Sequence, residues 1–409
     1  MILRPDYIEA VKPFMDAPLV KILTGVRRCG KSTIFEMIRQ ELLDRRGHKV
    51  TLVYSDVRTG EFYYPVAKNI KTVDVRHFKG KKVIYPWYLK LKREIYRTFD
   101  KERAKTVNND FLTRYLSHNL ETVLEPFDII ISFQLPASKI LLCDLKTVTP
   151  VITMCHGDTN DYFHEYPKSE LPAIEKSAVY QVLLSCYEQQ INENLPKAKT
   201  VVIGNAIPQF KQPADLNSEK SVHKIVTVGR LVYSHKRPHL LIDAFAKVAK
   251  DFPQWNLEFW GASDGKAYYE ELKLKIKKHG LQDRIFLRGT TQNVPDVLRQ
   301  CDIFAMPSAY EGFSLSLGEA MSMGLPVIAY KSCRSIAAIV TDNVHGFLCE
   351  DGIEDFAAKL HILMGNKELR IKMGKEGRKL MRNYSPKVIW DTWETLMNRV
   401  VQQKNEKGV

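Results

Sequence analysis

The sequence predicts an α/β protein built as two doubly wound parallel sheets in tandem. Three observations carry that expectation. From about Val20 to Asn205, short apolar runs alternate with helix-length segments: VKILTG, HKVTLVYSD, IKTVDV, FDIIISF, PVITMC, VYQVLLS and KTVVIGN. A stretch rich in Pro, Asp, Asn and Ser, Pro208 to Ser221, then interrupts the pattern as a linker would. The alternation resumes with KIVTVG, NLEFWG, RIFLRG, DIFAMP and LPVIAY. The boundaries that follow are an N-terminal domain over 1–207, a linker over 208–222, a second domain over 223–385 and a closing helical segment over 386–409. No internal repeat or low-complexity tract is present.

A chain of 409 residues that is 44% hydrophobic can build two cores. No run of eighteen apolar residues occurs, and MILRPDYIEAVKPF has charges and prolines where a signal peptide needs an unbroken apolar stretch. A cytoplasmic protein is the expectation. Seven cysteines without CxxC spacing point away from a disulfide framework and from a zinc site, and no other metal cluster stands out.

The net charge of +14 is unevenly placed. Between Lys68 and Lys105 stand thirteen Lys or Arg against four Asp or Glu, interleaved with Tyr85, Trp87, Tyr88 and Tyr96. Within it WYLKLKREIYRTF puts Trp87, Leu91, Ile95 and Phe99 at helical spacing, flanked by Lys90, Lys92, Arg93 and Arg97. Two readings stand for this basic amphipathic helix: a core stripe under a solvated face, or a surface for anionic membrane through residues 85–99. No DNA- or RNA-binding module accompanies it, and nucleic acid is not expected as a partner.

In the second half, CDIFAMPSAY reads as a buried strand, Ile303 to Met306, closed by Pro307 and Ser308, and EGFSLSLGE enters a helix at about Leu315. Glu311 lies in the loop before the helix and Glu319 within it, so both acids can face one ligand at the helix start. The backbone amides of Gly312, Phe313 and Ser314, with the helix dipole, favour a phosphate there. A neighbouring carboxylate can accept from hydroxyls of a ribose or sugar. Two surface acids on an ordinary turn are the plain alternative. Arg230 and Lys236 lie in VTVGRLVYSHKRPHLLIDAF, another strand, loop and helix.

Taken together, PSAYEGFSLSLGEAMSMGLPVIAY, HGFL and the GRL segment resemble the donor-binding half of retaining glycosyltransferases of family 4, which have the GT-B fold. The resemblance runs from about His223 to Val400, and more loosely from residue 46. It implies two Rossmann-like domains facing a central cleft, with the final helix crossing back to the N-terminal domain. It also implies a nucleotide-sugar donor, UDP-linked before GDP-linked, a saccharide or lipid-linked saccharide acceptor, retention, and no cofactor. By the resemblance Glu319 holds the ribose, Gly312 to Ser314 the phosphates, Arg230 and Lys236 the diphosphate charge, and Glu311 the sugar. In VITMCHGD, His156 stands just beyond a buried strand, where open α/β sheets place ligand groups. It is similar to the family's N-domain histidine, which lies against the transferred sugar. Asp158 and Asp161 are candidates for acceptor contacts or plain surface loop acids.

Three features depart from the family. The loop from Arg230 to Lys236 has a length that only part of the family shares, and GNAIP lacks the usual NG dipeptide and acid. The first 45 residues instead resemble the opening of an AAA-type ATPase, because GVRRCGKST matches a phosphate loop with Gly25, Gly30, Lys31 and Ser32 in the motif positions. That segment stands in place of the family's first βα unit. An ATPase also needs an acid at a strand end, and the best candidate is Asp144 in ILLCD, where the glycosyltransferase reading puts a helix. The loop is therefore a structural replacement or a contact for a phosphate, and an ATP-binding protein or a nucleotide-sugar binder without transfer are the alternatives.

Overall fold

A computed structural model describes residues 20–26, 48–57, 70–81, 83–124, 127–164 and 167–406. The chain divides into two compact units, the second comprising Gly204–Ile389 with Leu183–Cys186.

In the first unit, β1 Val20–Val26, β2 Lys49–Ser55, β3 Lys71–Asp74, β4 Ile129–Ser132, β5 Val151–Met154, β6 Val179–Val182 and β7 Thr200–Val202 form a parallel sheet ordered β3-β2-β1-β4-β5-β6-β7. Strands β4, β5 and β6 are buried at every residue, as strands covered on both faces must be. A helical hairpin joins β3 to β4: α1 Trp87–Phe99 and α2 Lys101–Glu121. Asp100 separates them and caps α2 by accepting the Arg103 amide at 3.0 Å. Asn119 Nδ2 donates to the Val75 carbonyl at 2.9 Å and pins the end of α2 beside β3. Leu120 and Val123 then pack with Val53, Val75, Phe127, Ile130 and Val151 in the core. By contrast α1 buries only Leu89.

The ILLCD segment, Ile140–Asp144, is a helical turn and not a strand, and Asp144 accepts from Lys139 Nζ at 2.8 Å. It offers no acid at a strand end. Of the candidate phosphate loop, Gly25 lies in β1, one residue before its end, while Gly30, Lys31 and Ser32 lie outside the described residues.

The second unit holds β8 His223–Val228, β9 Trp255–Trp260, β10 Ile285–Gly289, β11 Ile303–Met306, β12 Val327–Tyr330 and β13 Gly346–Cys349, all parallel, ordered β10-β9-β8-β11-β12-β13. The helices that matter for the site are α3 Pro238–Val248, α4 Leu315–Met323 and α5 Lys367–Met381. Its core gathers Phe245, Trp255, Phe259, Tyr330 and Phe356, each fully buried. The segment expected as a linker packs onto this unit. Ser322 Oγ donates to the Pro208 carbonyl at 2.5 Å and the Ala214 amide to the Met323 carbonyl at 2.8 Å. A Cβ on Gly318 of α4 would stand 2.5 Å from Ile207 Cδ1, so the residue just before this segment also packs closely on α4. A last helix, α6 Pro386–Glu406, begins in the second unit and from Trp390 groups with the first. Its buried stripe is Trp390, Trp393, Leu396, Met397 and Val400.

Two histidines of the second unit tie its stability to pH. Burial holds His345 below the ordinary imidazole range, and its Nδ1 accepts the Thr341 amide at 3.0 Å, a role only the unprotonated nitrogen can fill. Burial, then the Lys275 charge, holds His239 low as well. In the unfolded chain both take a proton near pH about 6.5, so the unfolded state binds more protons and stability falls as pH drops. Thermal melting should therefore fall between about pH 7 and 5, and His345→Gln, whose amide oxygen can accept the same bond, should flatten part of that slope. An unchanged slope would remove His345 from the account.

Candidate functional site

Strands β8 and β11 lie side by side, yet the chain leaves β8 toward β9 on one side and leaves β11 toward β12 on the other. This is the topological switch point of the sheet, where the segments leaving the carboxyl ends diverge and open α/β sheets take their ligands. The segments leaving those two strands are residues 229–237 and 307–314, which hold the donor residues expected from the sequence except Glu319.

Three links tie them together. The Ala309 amide donates to the His235 carbonyl at 2.8 Å. Arg237 Nε donates to the Pro307 carbonyl at 3.1 Å. Lys236 Nζ donates to Glu311 Oε1 in a close ion pair. The Lys236 and Arg237 amides both bond the Val232 carbonyl, at 3.2 and 3.0 Å, which curls the loop back over β8. The lysine stem then crosses Gly229, where an added Cβ would lie 3.5 Å from Lys236 Cε.

Arg237 was not singled out from the sequence. It precedes α3 in the left-handed region at φ 47°, costly for a side chain with Cβ. Its guanidinium offsets that cost on Pro307, on Asp351 at 3.4 Å and over the Tyr330 ring at 4.7 Å. Three strand ends thus hold the residue beside Lys236. The one signal in the sequence is Pro238 at the first helical position, which fixes where α3 begins and makes the residue before it a cap.

The Ser314 side chain caps α4 by accepting the Leu317 amide at 3.4 Å. Glu319 is buried on α4. Gly312 and Phe313 form the turn into the helix, and the Phe313 ring is buried against Tyr384, with centroids 5.5 Å apart. Arg230 is exposed just beyond β8. Lys236, Glu311 and the helix entrance at 312–314 therefore come together, with Glu319 on that same helix.

His156 belongs to the first unit. It follows β5, and its ring lies over Phe133, which follows β4, at 3.8 Å between centroids. Asp158 is not a surface loop acid: it is buried and accepts the Asn160 amide at 2.9 Å, turning the chain into a short helix at Thr159–His164. The side chain of Asp161 lies outside the described residues. Strand β1, which includes Gly25, lies beside β4 in the first sheet, and the strand order reverses between these two, the switch point of that unit. Among the described residues no cluster of three His, Cys, Asp or Glu could hold a metal ion, and no helix is long and apolar enough to cross a membrane.

Residues 208–380 match the family described as Glycosyl transferases group 1. An uncharacterized glycosyltransferase of Haemophilus influenzae is 28% identical over 197 residues, 48% of this chain and 55% of that protein. The poly(glycerol-phosphate) alpha-glucosyltransferase of Bacillus subtilis is 28% identical over 196 residues, 48% of this chain but 28% of its own length. The chain thus spans about half or less of these two relatives. The amylovoran biosynthesis glycosyltransferase AmsD of Erwinia amylovora is 24% identical over 387 residues, 93% of this chain and 99% of that one. Among solved structures, sucrose-phosphate synthase from Thermosynechococcus elongatus superposes with a TM-score of 0.73 at 15% identity, covering 94% of this chain and all of that one. Staphylococcus aureus TarM does so with a TM-score of 0.69 at 17% identity, covering 93% of this chain and 100% of that one. The fold is GT-B, two Rossmann-like α/β units, and the second carries the group 1 glycosyltransferase match.

Proposed function

We propose that this chain transfers a sugar from a nucleotide-diphosphate sugar, UDP-linked before GDP-linked, to a saccharide or lipid-linked saccharide in the assembly of cell-surface polysaccharide. We further propose that it acts in the cytoplasm and that the anomeric configuration is retained. The observation that carries the reading is the Lys236–Glu311 pair at the entrance of α4, on the switch point of the second sheet. Departure of a nucleoside diphosphate leaves negative charge on its outer phosphate. Lys236, Arg230 and the N-terminus of α4 are the groups that would meet it, and in our reading they do so without a metal. Glu311 orients the lysine and faces the sugar hydroxyls. Glu319 takes the ribose, and His156 of the first unit the transferred sugar.

The relatives support the class of substrate. Those of Bacillus subtilis and Staphylococcus aureus are named for glucosyl and N-acetylglucosaminyl transfer to poly(glycerol-phosphate) and poly(ribitol-phosphate), and the TarM crystal contains UDP. Nothing in the described residues favours ATP hydrolysis, since Asp144 is spent on Lys139.

Calorimetry on the intact chain separates the readings, with UDP, GDP and ATP titrated in parallel into wild type, Glu319→Ala and Lys31→Ala. UDP is expected to bind, with Glu319→Ala abolishing binding and Lys31→Ala leaving it unchanged. ATP binding that Lys31→Ala abolishes, without UDP binding, would overturn the proposal. UDP binding with no transfer to any acceptor would leave a binder, the second reading.

A further inference from the structure

The helix α1 carries its apolar side chains on the wrong side for a core. Trp87 is 77% exposed, Leu91 55%, Ile95 50% and Phe99 83%, with Ile84 just before the helix at 81%. The sequence left open whether this stripe sits under a solvated face, and the structure answers it: the stripe is the solvent face, and Leu89 opposite is the one buried contact. At about 100° per residue, Trp87, Leu91, Ile95, Tyr88 and Phe99 span an arc of roughly 120°. Lys90 and Arg97 run along one border of that arc and Lys92 along the other. Glu94, on the first border, is paired with Arg97 at 2.9 Å and Arg93 at 3.6 Å. The helix is held to the body by α2, through Tyr85 against Phe111 at 5.5 Å and Arg103 over Tyr96 at 5.9 Å.

We propose that α1 is a docking surface for an anionic lipid bilayer, lying in the plane of the headgroups with Trp87, Leu91, Ile95 and Phe99 turned into the acyl boundary. An apolar face this large is unusual on a protein surface that meets only water. Charge complementarity selects the occupant. Cations border the apolar arc on both sides, which is the arrangement that lets a helix sink its apolar face while its charges meet lipid phosphates. The stretch around it has the thirteen cations against four acids. A second copy docking through the same face would bring its own cation rows against these, like charge against like. A nucleic acid would engage the cations and leave the apolar arc in water.

This surface belongs to the first unit and the donor residues to the second, and the proposal stands whether or not transfer is observed. The test is co-sedimentation of the full chain with vesicles of phosphatidylcholine alone and of phosphatidylcholine with about 30% phosphatidylglycerol, at low and high salt. Binding is expected to the anionic vesicles only and to weaken as salt rises. The triple variant Trp87→Ser, Leu91→Ser, Phe99→Ser should lower the partition by about tenfold or more, and Lys90→Glu with Lys92→Glu by a similar factor. UDP calorimetry on the same variants should be unchanged, which keeps loss of lipid binding distinct from loss of fold and from failure of the donor site. Failure to sediment at low salt, equal binding to neutral vesicles, or variants that bind like wild type would each overturn it. So would a dimer in sedimentation velocity that the triple variant dissociates, which would assign the face to a second copy.

Discussion

Replacing Lys236 by alanine is expected to lower kcat/KM for sugar transfer by about 10² to 10³, the usual effect of removing one fixed group that meets developing charge. The loss has two parts that the Lys236–Glu311 pair makes separable. One is the missing cation. The other is the Glu311 carboxylate, whose charge Lys236 no longer offsets where a diphosphate must sit, so that Lys236→Ala should also weaken UDP by about tenfold or more. Adding Glu311→Gln to Lys236→Ala removes the repulsion and should bring UDP binding back to within a few-fold of wild type, while turnover stays low. Steady-state kinetics and UDP calorimetry on the two singles and the double give the full cycle. Transfer by Lys236→Ala within about threefold of wild type would take the lysine out of the reaction, and additive effects on UDP would show that the pair does not act as a unit.

The sheet pattern was legible because parallel strands buried on both faces are written as unbroken apolar runs. FDIIISF, PVITMC and DIFAMP became β4, β5 and β11, with every strand residue buried. The helix start at Leu315 was legible from Pro307 and Ser308 closing the strand before it, while the Ser314 side chain as its cap is what the structure adds. The pairing of Lys236 with Glu311 was not, since 75 residues separate them and only the order β8-β11 brings their loops together. Nor could the sequence say which way the stripe of α1 faces. Periodicity fixes that an apolar face exists, while the packing of α2 decides whether it is covered. Asp158 shows the same limit from the other side: an acid in a polar loop reads as exposed until its carboxylate is found turning the chain at Asn160. Arg237 was hidden for a different reason. Its role comes from a left-handed backbone, which a sequence signals well only when the residue is glycine.

Gly261→Ala should be strongly destabilising to the second unit, because backbone overlap and backbone strain fall on the same residue. Gly261 follows β9 at φ 154°, and a Cβ there would stand 1.9 Å from the Gly229 carbonyl oxygen. Both partners are backbone, so no side chain can rotate away, and the ends of β8 and β9 must part. That breaks a ladder in which the Gly229 amide bonds Trp260 at 2.9 Å, the Gly261 amide bonds Gly289 at 2.7 Å and the Leu231 amide bonds Ala262 at 2.8 Å. Overpacking of about 1–3 kcal/mol adds to backbone strain of similar size, for about 3 kcal/mol or more. In a unit of this size that lowers the melting temperature by roughly 10 °C. Gly280→Ala is the control, because its φ of 68° carries the strain but nothing lies within 4 Å of the added methyl. It should cost about 1–2 kcal/mol. Calorimetric melting of the two variants side by side isolates the overlap from the strain, and equal melting temperatures would refute the overlap. Because Arg230 is the residue after Gly229, the same displacement should weaken UDP in Gly261→Ala under conditions where the protein is still folded, and leave it unchanged in Gly280→Ala.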